Sequence, residues 1–363
     1  MSELLDDTQL RLYQQKSALM NSVSHNLKYK LEDRDMERFK NIIVVATAES
    51  ANEAALERAA DLANNNQACL TVVEVIDKIP INLKLFHNDL SPEILQANIV
   101  AEHEKRLEEL IAPWSKNLDI QIKVLIGTPF LEIIREVLRN GRDLVVKAAE
   151  SDGLRAQVFG SDDMHLLRKC PCPVWLVHSK SPKAYHRILV AAAVDIYSPF
   201  LPQESETKHQ LDLQILDLAG SLALSEFAEL HIAHVWEAIG ESSLRGGFMH
   251  KTEDEVVAYV EKVKQQHQQN LNELVAEFTN HLGSNASAYL KPQIHLLKGS
   301  PRKEIPLFAE KIEADLVVMG TVVRTGIPGF LMGNTAETIL NRIDCSILAV
   351  KPQGFVTPVT LEE

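Results

Sequence analysis

A segment of this 363-residue chain occurs twice, and the repeat limits the architectures that the sequence can adopt. Residues 121–147 and 293–319 align without a gap at a constant offset of 172, and 11 of the 27 aligned positions are identical. Chance would give about two identities from average residue frequencies. Similar strand-like segments precede and follow the repeat in each half. The chain is therefore an internal duplication, and each copy has the length of an ordinary domain.

Composition restricts the class of protein. The chain is 45% hydrophobic and 24% charged, which is typical of a folded globular protein. Its apolar runs have strand length, far below the roughly 20 residues that a membrane span needs, and its start shows no secretory signal pattern. We therefore expect a cytoplasmic protein without membrane contacts. The net charge of −13 opposes direct binding to nucleic acid, because phosphate contacts need basic partners.

Hydrophobic patterning predicts alternating strands and helices in each half. The first half has predicted strands at 41–47, 68–76, 120–126, 143–147 and 173–177, with helices at 53–63, 94–114, 129–138 and 162–169. The second half has strands at 187–194, 228–236, 292–297, 315–319 and 346–350, with helices at 211–224, 253–282, 301–312 and 334–342. Strands that are apolar on both faces and separated by helices indicate a parallel sheet. We predict an α/β protein with two tandem, doubly wound, five-stranded parallel-sheet domains.

The domain boundaries are predicted from the repeat. The first domain is placed at residues 36–179, the second at 186–352, and a polar tail at 353–363 is expected to be pinned to the surface or frayed. Because the linker between the domains is short, the two should dock against each other. Residues 1–35 have no counterpart in the repeat and are predicted to be a disordered or helical extension. The alternative that the chain naturally starts at Met36 stays open.

The cysteines are predicted to be structural. Cys69, Cys170, Cys172 and Cys345 lie in or beside predicted buried strands, where a free cysteine behaves as a small apolar group. The Cys-Pro-Cys sequence near His165 lacks the second ligand pair of closed zinc sites. We therefore expect no metal centre there.

Histidine spacing and catalytic motifs also argue against a metal or an efficient active site. His231 and His234 lie on opposite faces of one predicted strand, so they cannot chelate a common metal without distortion. They are interpreted as packing or surface residues. The chain contains no Ser-His-Asp arrangement, no paired catalytic carboxylates and no Walker-type Gly-Lys-Ser/Thr sequence.

A glycine-bearing segment follows the fourth strand of the second half, where residues 317–336 read VVMGTVVRTGIPGFLMGNTA. This strand, loop and helix start resembles the signature loop of the universal stress protein family, whose nucleotide-binding members carry G-x2-G-x9-G-[ST] here. Strand-like residues 188–192 and 345–351 resemble the strands that open and close the family's domain. The resemblance extends over residues 36 to about 358, and the duplicated length resembles the tandem branch of the family.

The resemblance implies two flavodoxin-like, adenine-nucleotide α-hydrolase-like domains, with their last strands near the shared interface as in family dimers. It also implies a ligand site between the first and fourth strands of the second half. Glycines and a helix N-terminus can present backbone amides to an anion there. ATP or another adenine nucleotide, or another small phosphorylated ligand, is therefore the expected cofactor or partner. The candidate nucleotide-binding residues are Ala193, Asp195, Gly320, Thr321, Arg324, Thr325, Gly326, Gly333, Asn334 and Thr335.

Both copies depart from the family pattern. In the second half, Val323 replaces the second glycine, Asn334 replaces Ser or Thr, and Ala193 aligns with the aspartate of nucleotide-binding members. We expect weak or altered nucleotide binding there. In the first half only the Gly-Ser pair at 160–161 survives, and carboxylates at positions 150 and 152 would repel a triphosphate. We expect no ATP in that half, which is interpreted as mainly structural or as binding something else.

Three functions remain open. The leading hypothesis is a stress-response protein that acts by binding and assembly, with paired domains and self-association into a homodimer among its expected contacts. The second is a slow ATPase that uses the second-half loop, although enzymatic activity is not favoured. The third is a small-molecule sensor or adaptor whose first pocket holds an apolar or sugar-like molecule.

Overall fold

The computed structural model of the protein describes residues 39–46, 52–80, 91–150, 159–194, 202–245, 251–321 and 332–361. The side chains at positions 52 and 202–205 are not described. The described residues lie within one compact unit that spans residues 39–363. The predicted extension at residues 1–35 lies outside the described residues.

Strands and helices alternate through the first half as the patterning predicts. The strands are β1 (Asn41–Val45), β2 (Cys69–Ile76), β3 (Ile120–Ile126), β4 (Leu144–Ala148) and β5 (Val174–Val177). The helices are α1 (Asn52–Asn66), α2 (Pro92–Ile111), α3 (Pro129–Asn140) and α4 (Ser161–Lys169). Proline begins both α2 and α3, where its fixed φ suits the first turn and no hydrogen bond is lost.

The second half follows the same order with additional helices. Its strands are β6 (Arg187–Ala192), β7 (Glu229–Trp236), β8 (Gln293–Lys298), β9 (Leu316–Gly320) and β10 (Ser346–Val350). Its helices are α5 (Pro202–Glu226), α6 (Glu241–Arg245), α7 (Glu253–Leu282), α8 (Ser284–Leu290), α9 (Pro301–Lys311) and α10 (Asn334–Leu340). The sequence analysis did not predict α6 or α8, and it placed the start of α5 at residue 211 instead of Pro202.

The strands form one continuous sheet in the order β3-β2-β1-β4-β5-β10-β9-β6-β7-β8. Within each half, neighbouring strands are parallel, which confirms the predicted α/β architecture. The halves meet where β5 and β10 pair in antiparallel fashion, with Leu176 opposite Ile347. The sequence analysis predicted that the last strands lie close together, but it did not predict one shared sheet.

The repeated Asp-Leu-Val-Val segment has a structural cause. The Asp143 carboxylate accepts a hydrogen bond from the backbone N–H of Asn41 at 3.0 Å, and Asp315 accepts one from Arg187 at 3.0 Å. Each carboxylate thereby holds the start of the first strand of its half against the start of the fourth. The Leu and Val residues that follow each aspartate are fully buried in the sheet.

The repeated glycine after the third strand also has a structural cause. Gly127 and Gly299 adopt φ values of +143° and +142°, which side chains rarely allow. Their N–H groups donate to the carbonyls of Ile76 and Trp236, both at 2.9 Å. This turn fixes the start of α3 and of α9 beside the neighbouring strand in both halves.

A buried aromatic cluster joins the two halves beside the antiparallel pair. The indole Nε1 of Trp175 donates to the hydroxyl of Tyr185 at 3.2 Å, and each residue is 1% exposed. The Arg58 guanidinium lies 3.4 Å from the Tyr185 ring centroid and pairs with the Glu226 carboxylate at 2.7 Å. Because these residues come from α1, β5, the linker and α5, the cluster fixes the docking that the short linker predicts.

The C-terminal tail returns to the first half. Arg135 on α3 donates from Nε to the carbonyl of Thr360 at 3.3 Å. Val359 packs against the hydrophobic core as a partly buried side chain. Of the two alternatives for the tail, these contacts favour a segment pinned to the surface.

Candidate functional site

A cavity of about 650 Å³ opens at the carboxyl ends of β6, β7 and β9 in the second half. The chain order reverses between β6 and β9, and ligands of open α/β sheets bind at such a reversal. Apolar side chains form most of its wall, among them Leu211, Ile215, Trp236, Val263, Ile305 and Met319. The cavity therefore lies at the place that the sequence analysis predicted for a ligand.

Six of the ten predicted nucleotide-binding residues line this cavity. They come from the end of β6, the end of β9 and the start of α10: Ala193, Gly320, Thr321, Gly333, Asn334 and Thr335. The other four, Asp195, Arg324, Thr325 and Gly326, lie outside the described residues, as does Val323.

The two described ends of the signature loop meet through main-chain hydrogen bonds. The N–H of Gly333 donates to the Thr321 carbonyl at 3.1 Å, and the N–H of Thr321 donates to the Val350 carbonyl at 3.2 Å. Gly333 is the N-cap residue of α10. The amide of Gly333 is thus used within the protein, whereas the next amides begin a helix and have no intrahelical acceptor.

Gly320 has a packing role as well as a place on the cavity wall. A Cβ atom at this position would lie 2.7 Å from Cδ2 of Leu211 on α5. Such a contact is too short to form unless the Leu211 side chain moves. The close packing of α5 side chains on the end of β9 therefore favours glycine at this position, with or without a ligand.

A carboxylate that sequence reasoning missed lies beside Ala193. Asp212 on α5 is 5% exposed, and its Oδ1 accepts a hydrogen bond from the Ala193 N–H at 3.0 Å. The chain thus places a carboxylate next to the end of β6 from a neighbouring helix, although the strand itself lacks the family's aspartate. A single Asp in an amphipathic helix carries no sequence signal for this role.

Two histidines form a pair along the cavity wall. Nδ1 of His234 lies 3.1 Å from the Ala192 carbonyl, and its Nε2 lies 2.9 Å from Nδ1 of His267. Since a carbonyl only accepts, His234 carries its proton on Nδ1 and receives a hydrogen bond from His267 when both rings are neutral. His231 faces the other side of the sheet, 3.0 Å from His295. The predicted opposite orientation is confirmed, but the two histidine partners were not foreseen.

Within the ranges that the structure describes, no group of three or more His, Cys, Asp or Glu side chains is arranged to hold a metal ion. None of the helices in those ranges is long and apolar enough to cross a membrane.

Charged side chains of the protein itself line the equivalent place in the first half. A cavity of about 570 Å³ lies at the ends of β1, β2 and β4. At its base, Nζ of Lys147 contacts Oε1 of Glu150 at 2.6 Å and Oδ1 of Asp163 at 2.8 Å. Oε2 of Glu150 lies 2.2 Å from where a Cβ atom of Gly160 would be. A carboxylate therefore packs directly on the glycine of the surviving Gly-Ser pair.

Burial and opposite charges set the protonation of this cluster. Burial alone would lower the pKa of Lys147, but the carboxylates of Asp163 and Glu150 outweigh it and raise that pKa. Burial raises the pKa of Asp163 even though the Lys147 charge opposes this. When both carboxylates are ionised, the cluster has one negative charge in excess, which opposes phosphate binding.

The cavity walls formed by the second strand of each half also differ in charge. Glu74, the sixth residue of β2, is 5% exposed and pairs with Arg106 and with Nδ1 of His103, the latter at 2.9 Å. The sixth residue of β7 is His234, which pairs with His267. The first cavity is thus lined by ion pairs where the second has a pair of imidazoles.

Comparisons with known proteins point to one family. The profile of the universal stress protein family matches residues 38–178 and 204–351. A curated relative from Escherichia coli strain K12, Universal stress protein E, is 28% identical over 331 residues, covering 90% of this chain and 99% of the relative. The protein of the same name from Salmonella typhi is 31% identical over 246 residues, covering 67% of this chain and 72% of the relative.

Solved structures share the fold. A crystal structure of a functionally unknown protein from Pseudomonas aeruginosa PAO1 has a TM-score of 0.62 at 23% identity, covering 87% of this chain and 94% of that chain. A universal stress protein from Archaeoglobus fulgidus DSM 4304 has a TM-score of 0.55 at 18% identity, covering 86% of this chain and 98% of that chain. At these identities the similarity concerns the architecture.

Proposed function

This chain belongs to the universal stress protein family and matches its profile twice, and we propose that it acts in the stress response by binding a small ligand in its second half. The ligand is an adenine nucleotide or a related phosphorylated small molecule, bound weakly. The two domains are residues 36–179 and 186–352. The first domain has a structural role and does not take up ATP.

The second-half cavity is the observation that carries this proposal. Its volume of about 650 Å³ falls within the usual range for small-molecule sites. Met319 and Ala336 line it at the positions where the first half has Lys147 and Asp163. No internal ion pair therefore fills these positions in the second half.

The lining offers complementary surfaces for the two parts of a nucleotide. Trp236 and Tyr259 provide aromatic rings on one side, where a planar base can lie against apolar surface. Lys208 and the polar residues Thr321 and Asn334 lie along the wall and supply a positive charge and hydrogen-bond donors for phosphate.

The expected partners follow from charge and docking. The net charge of −13 disfavours nucleic acid and anionic membranes, so we propose a cytoplasmic protein whose macromolecular contacts are with other proteins. Pairing of the two domains through β5 and β10 is intramolecular. Self-association into a homodimer is a further proposed contact.

Calorimetry with ATP, ADP and AMP tests the assignment. We expect weak binding of at least one nucleotide to the wild type and none to Gly333→Val, because an added side chain blocks the approach of phosphate to the loop. Glu150→Gln in the first half is the matched control and should leave the affinity unchanged. Equal ATP binding by Gly333→Val would reject the assignment.

Two further measurements separate the alternatives. Release of phosphate from ATP by the wild type, lost in Gly333→Val, would favour a slow ATPase. Mass spectrometry of small molecules that co-purify with the protein would favour a sensor if it finds an apolar or sugar-like compound without phosphate.

A further inference from the structure

Two thiols lie in contact where α4 ends. Cys170 is the C-cap residue of α4, and its N–H donates to the Leu166 carbonyl at 2.9 Å. Pro171 follows, and Cys172 stands just before β5. The two Sγ atoms are 3.6 Å apart, so a disulfide would require them to approach by roughly 1.5 Å. The sequence analysis interpreted these residues as structural thiols, and this distance points to a chemical role.

The two thiols differ in their access to solvent. Cys170 is 0% exposed, whereas Cys172 is partly exposed. Cys172 is therefore the less buried residue of the pair and the one nearer to solvent. Cys170 lies behind it, protected from solvent but within contact distance of its sulfur, as a resolving thiol must be.

A buried lysine favours the thiolate form of this pair. Lys351 is 4% exposed, and its Nζ donates to the Leu167 carbonyl and, at 2.5 Å, to Oγ1 of Thr321. Burial opposes ionisation of Cys170, but hydrogen bonds from Cys172 and the Lys351 charge outweigh it and lower the pKa of Cys170. The pKa of Cys172 is raised, chiefly by its hydrogen bond with Cys170. The first proton to leave the pair therefore leaves more easily than from an isolated thiol, and the second is held between the two sulfurs.

The second half provides a natural comparison. Cys345 aligns with Cys172, but Ile343 stands where the first half has Cys170. Burial raises the pKa of Cys345 to about 12, and the carboxylates of Asp315 and Asp344 add to this effect. The thiol at the same place in the second half therefore has no second sulfur beside it that could take up its proton.

We propose that Cys170 and Cys172 form a redox-active dithiol, which low-molecular-weight disulfides such as oxidised glutathione convert to an intramolecular disulfide. The Cys172 sulfur attacks the glutathione disulfide while its proton passes to Cys170, which gives a mixed disulfide and one glutathione thiolate. That thiolate takes the proton from Cys170, whose sulfur then displaces the second glutathione. Two protein thiols are oxidised, one glutathione disulfide is reduced, and the second leaving thiolate takes its proton from solvent.

The site lies among contacts between the two halves. Leu167, three residues before Cys170, accepts a hydrogen bond from Lys351 of the second half, and Arg168 pairs with Glu337 on α10. Lys351 also contacts Thr321 on the wall of the second cavity. Closure of the disulfide therefore acts on the end of the helix that the second half holds.

The test uses the full-length protein in glutathione buffers of increasing oxidised fraction, with peptide mass spectrometry after rapid acid quenching. We expect the peptide with Cys170 and Cys172 to lose two hydrogen atoms in mass, with at least tenfold more modification than the Cys345 peptide. Exposed Cys69 serves as an internal control, because it lacks a described sulfur neighbour and should form only a mixed disulfide.

Two variants identify the roles of the sulfurs. In Cys170→Ser, a stable glutathione adduct should accumulate on Cys172, whereas in Cys172→Ser the remaining Cys170 should stay unmodified. The proposal is overturned if the wild-type pair stays reduced while Cys69 becomes glutathionylated, or if the wild type keeps a stable adduct on Cys172. The wild-type measurement alone decides the outcome if either variant fails to fold.

Discussion

The cavities of the first and second halves lie at equivalent ends of the same sheet. The first is lined by ion pairs of the protein itself, whereas the second is lined mainly by apolar side chains. Lys147 and Asp163 form a buried ion pair in the first half, where the second half has Met319 and Ala336. The positions that shape the backbone, such as Asp143 and its counterpart Asp315, are alike in both halves. The duplicated chain thus kept its framework and diverged at the end of the fourth strand.

The largest effect should come from moving second-half residues into the first half. Lys147→Met leaves the fully buried Asp163 without its cation, and we expect a loss of about 3–5 kcal/mol in the free energy of unfolding. Lys147→Met combined with Asp163→Ala should instead be neutral or stabilising by up to about 4 kcal/mol. Urea unfolding of the four proteins in this cycle measures the coupling.

If the double variant loses as much stability as the two single variants added together, Lys147 and Asp163 do not act as a pair. Met319→Lys in the second half is the matched control. It should be strongly destabilising, because the chain offers Ala336 in place of an acidic partner.

The shared framework should respond equally in both halves. Asp143→Ala and Asp315→Ala each remove a carboxylate that accepts hydrogen bonds from two consecutive backbone amides. We expect each to lower the free energy of unfolding by about 1.5–3 kcal/mol, the usual range for hydrogen bonds to a charged group. Thermal and urea unfolding measure both losses. If the two losses in the free energy of unfolding differ by several kcal/mol, the two aspartates do not have equivalent roles in the two halves.

The affinity for ATP tests whether Val323 weakens the signature loop of the second half. If the loop backbone at Val323 must adopt positive φ, valine is strained there by about 1–3 kcal/mol. Val323→Gly should then strengthen ATP binding roughly tenfold for each 1.4 kcal/mol that is relieved. Adding Asn334→Ser tests whether the shorter side chain restores phosphate contact. Tight binding by the wild type, or no gain in either variant, means that the loop was not weakened in this way.

The smallest effect concerns pH at two aligned positions. Burial lowers the pKa of His178 in the first half, and it lowers the pKa of Lys351 in the second half to about 8. In both cases the unfolded chain binds the proton more readily, so stability rises with pH. The two groups change the stability over different pH ranges. His178 does so at and below pH 6.5, and Lys351 does so between about pH 8 and 10.5.

We therefore expect the free energy of unfolding to fall as pH drops from 7 to 5. His178→Asn should reduce that slope by less than about 1.4 kcal/mol per pH unit, the limit for one proton. Lys351→Met should flatten the rise between pH 8 and 10.5. If either variant leaves the slope of the free energy of unfolding against pH unchanged, that residue does not contribute to the pH dependence.

Much of the fold could be predicted because the strands are apolar on both faces and the repeat fixes their order. The short helices α6 and α8 were not predicted, because their sequences ESSLR and SNASAYL lack an apolar period and their helicity depends on tertiary contacts. The single continuous sheet was also not predicted, because nothing in the sequence of β5 or β10 specifies an antiparallel partner strand from the other half.

The cavity could be located from the glycine-bearing loop, but its chemistry could not. Asp212 and His267 each lie in a long helix, where one polar residue looks like any other. Lys147 was noted only as the end of a strand, and its bonds to Glu150 and Asp163 depend on how β4, its loop and α4 converge. Such clusters exist only after folding has brought distant segments together.

The antiparallel seam between β5 and β10 has a consequence for how the protein could evolve. In a symmetric dimer of identical subunits, every substitution appears in both sites at once. A covalent link between the two domains keeps the seam at a high effective concentration, whatever the amount of protein present. Each copy is then free to change while its neighbour preserves the shared sheet, so one chain can carry two equivalent cavities with different chemistry.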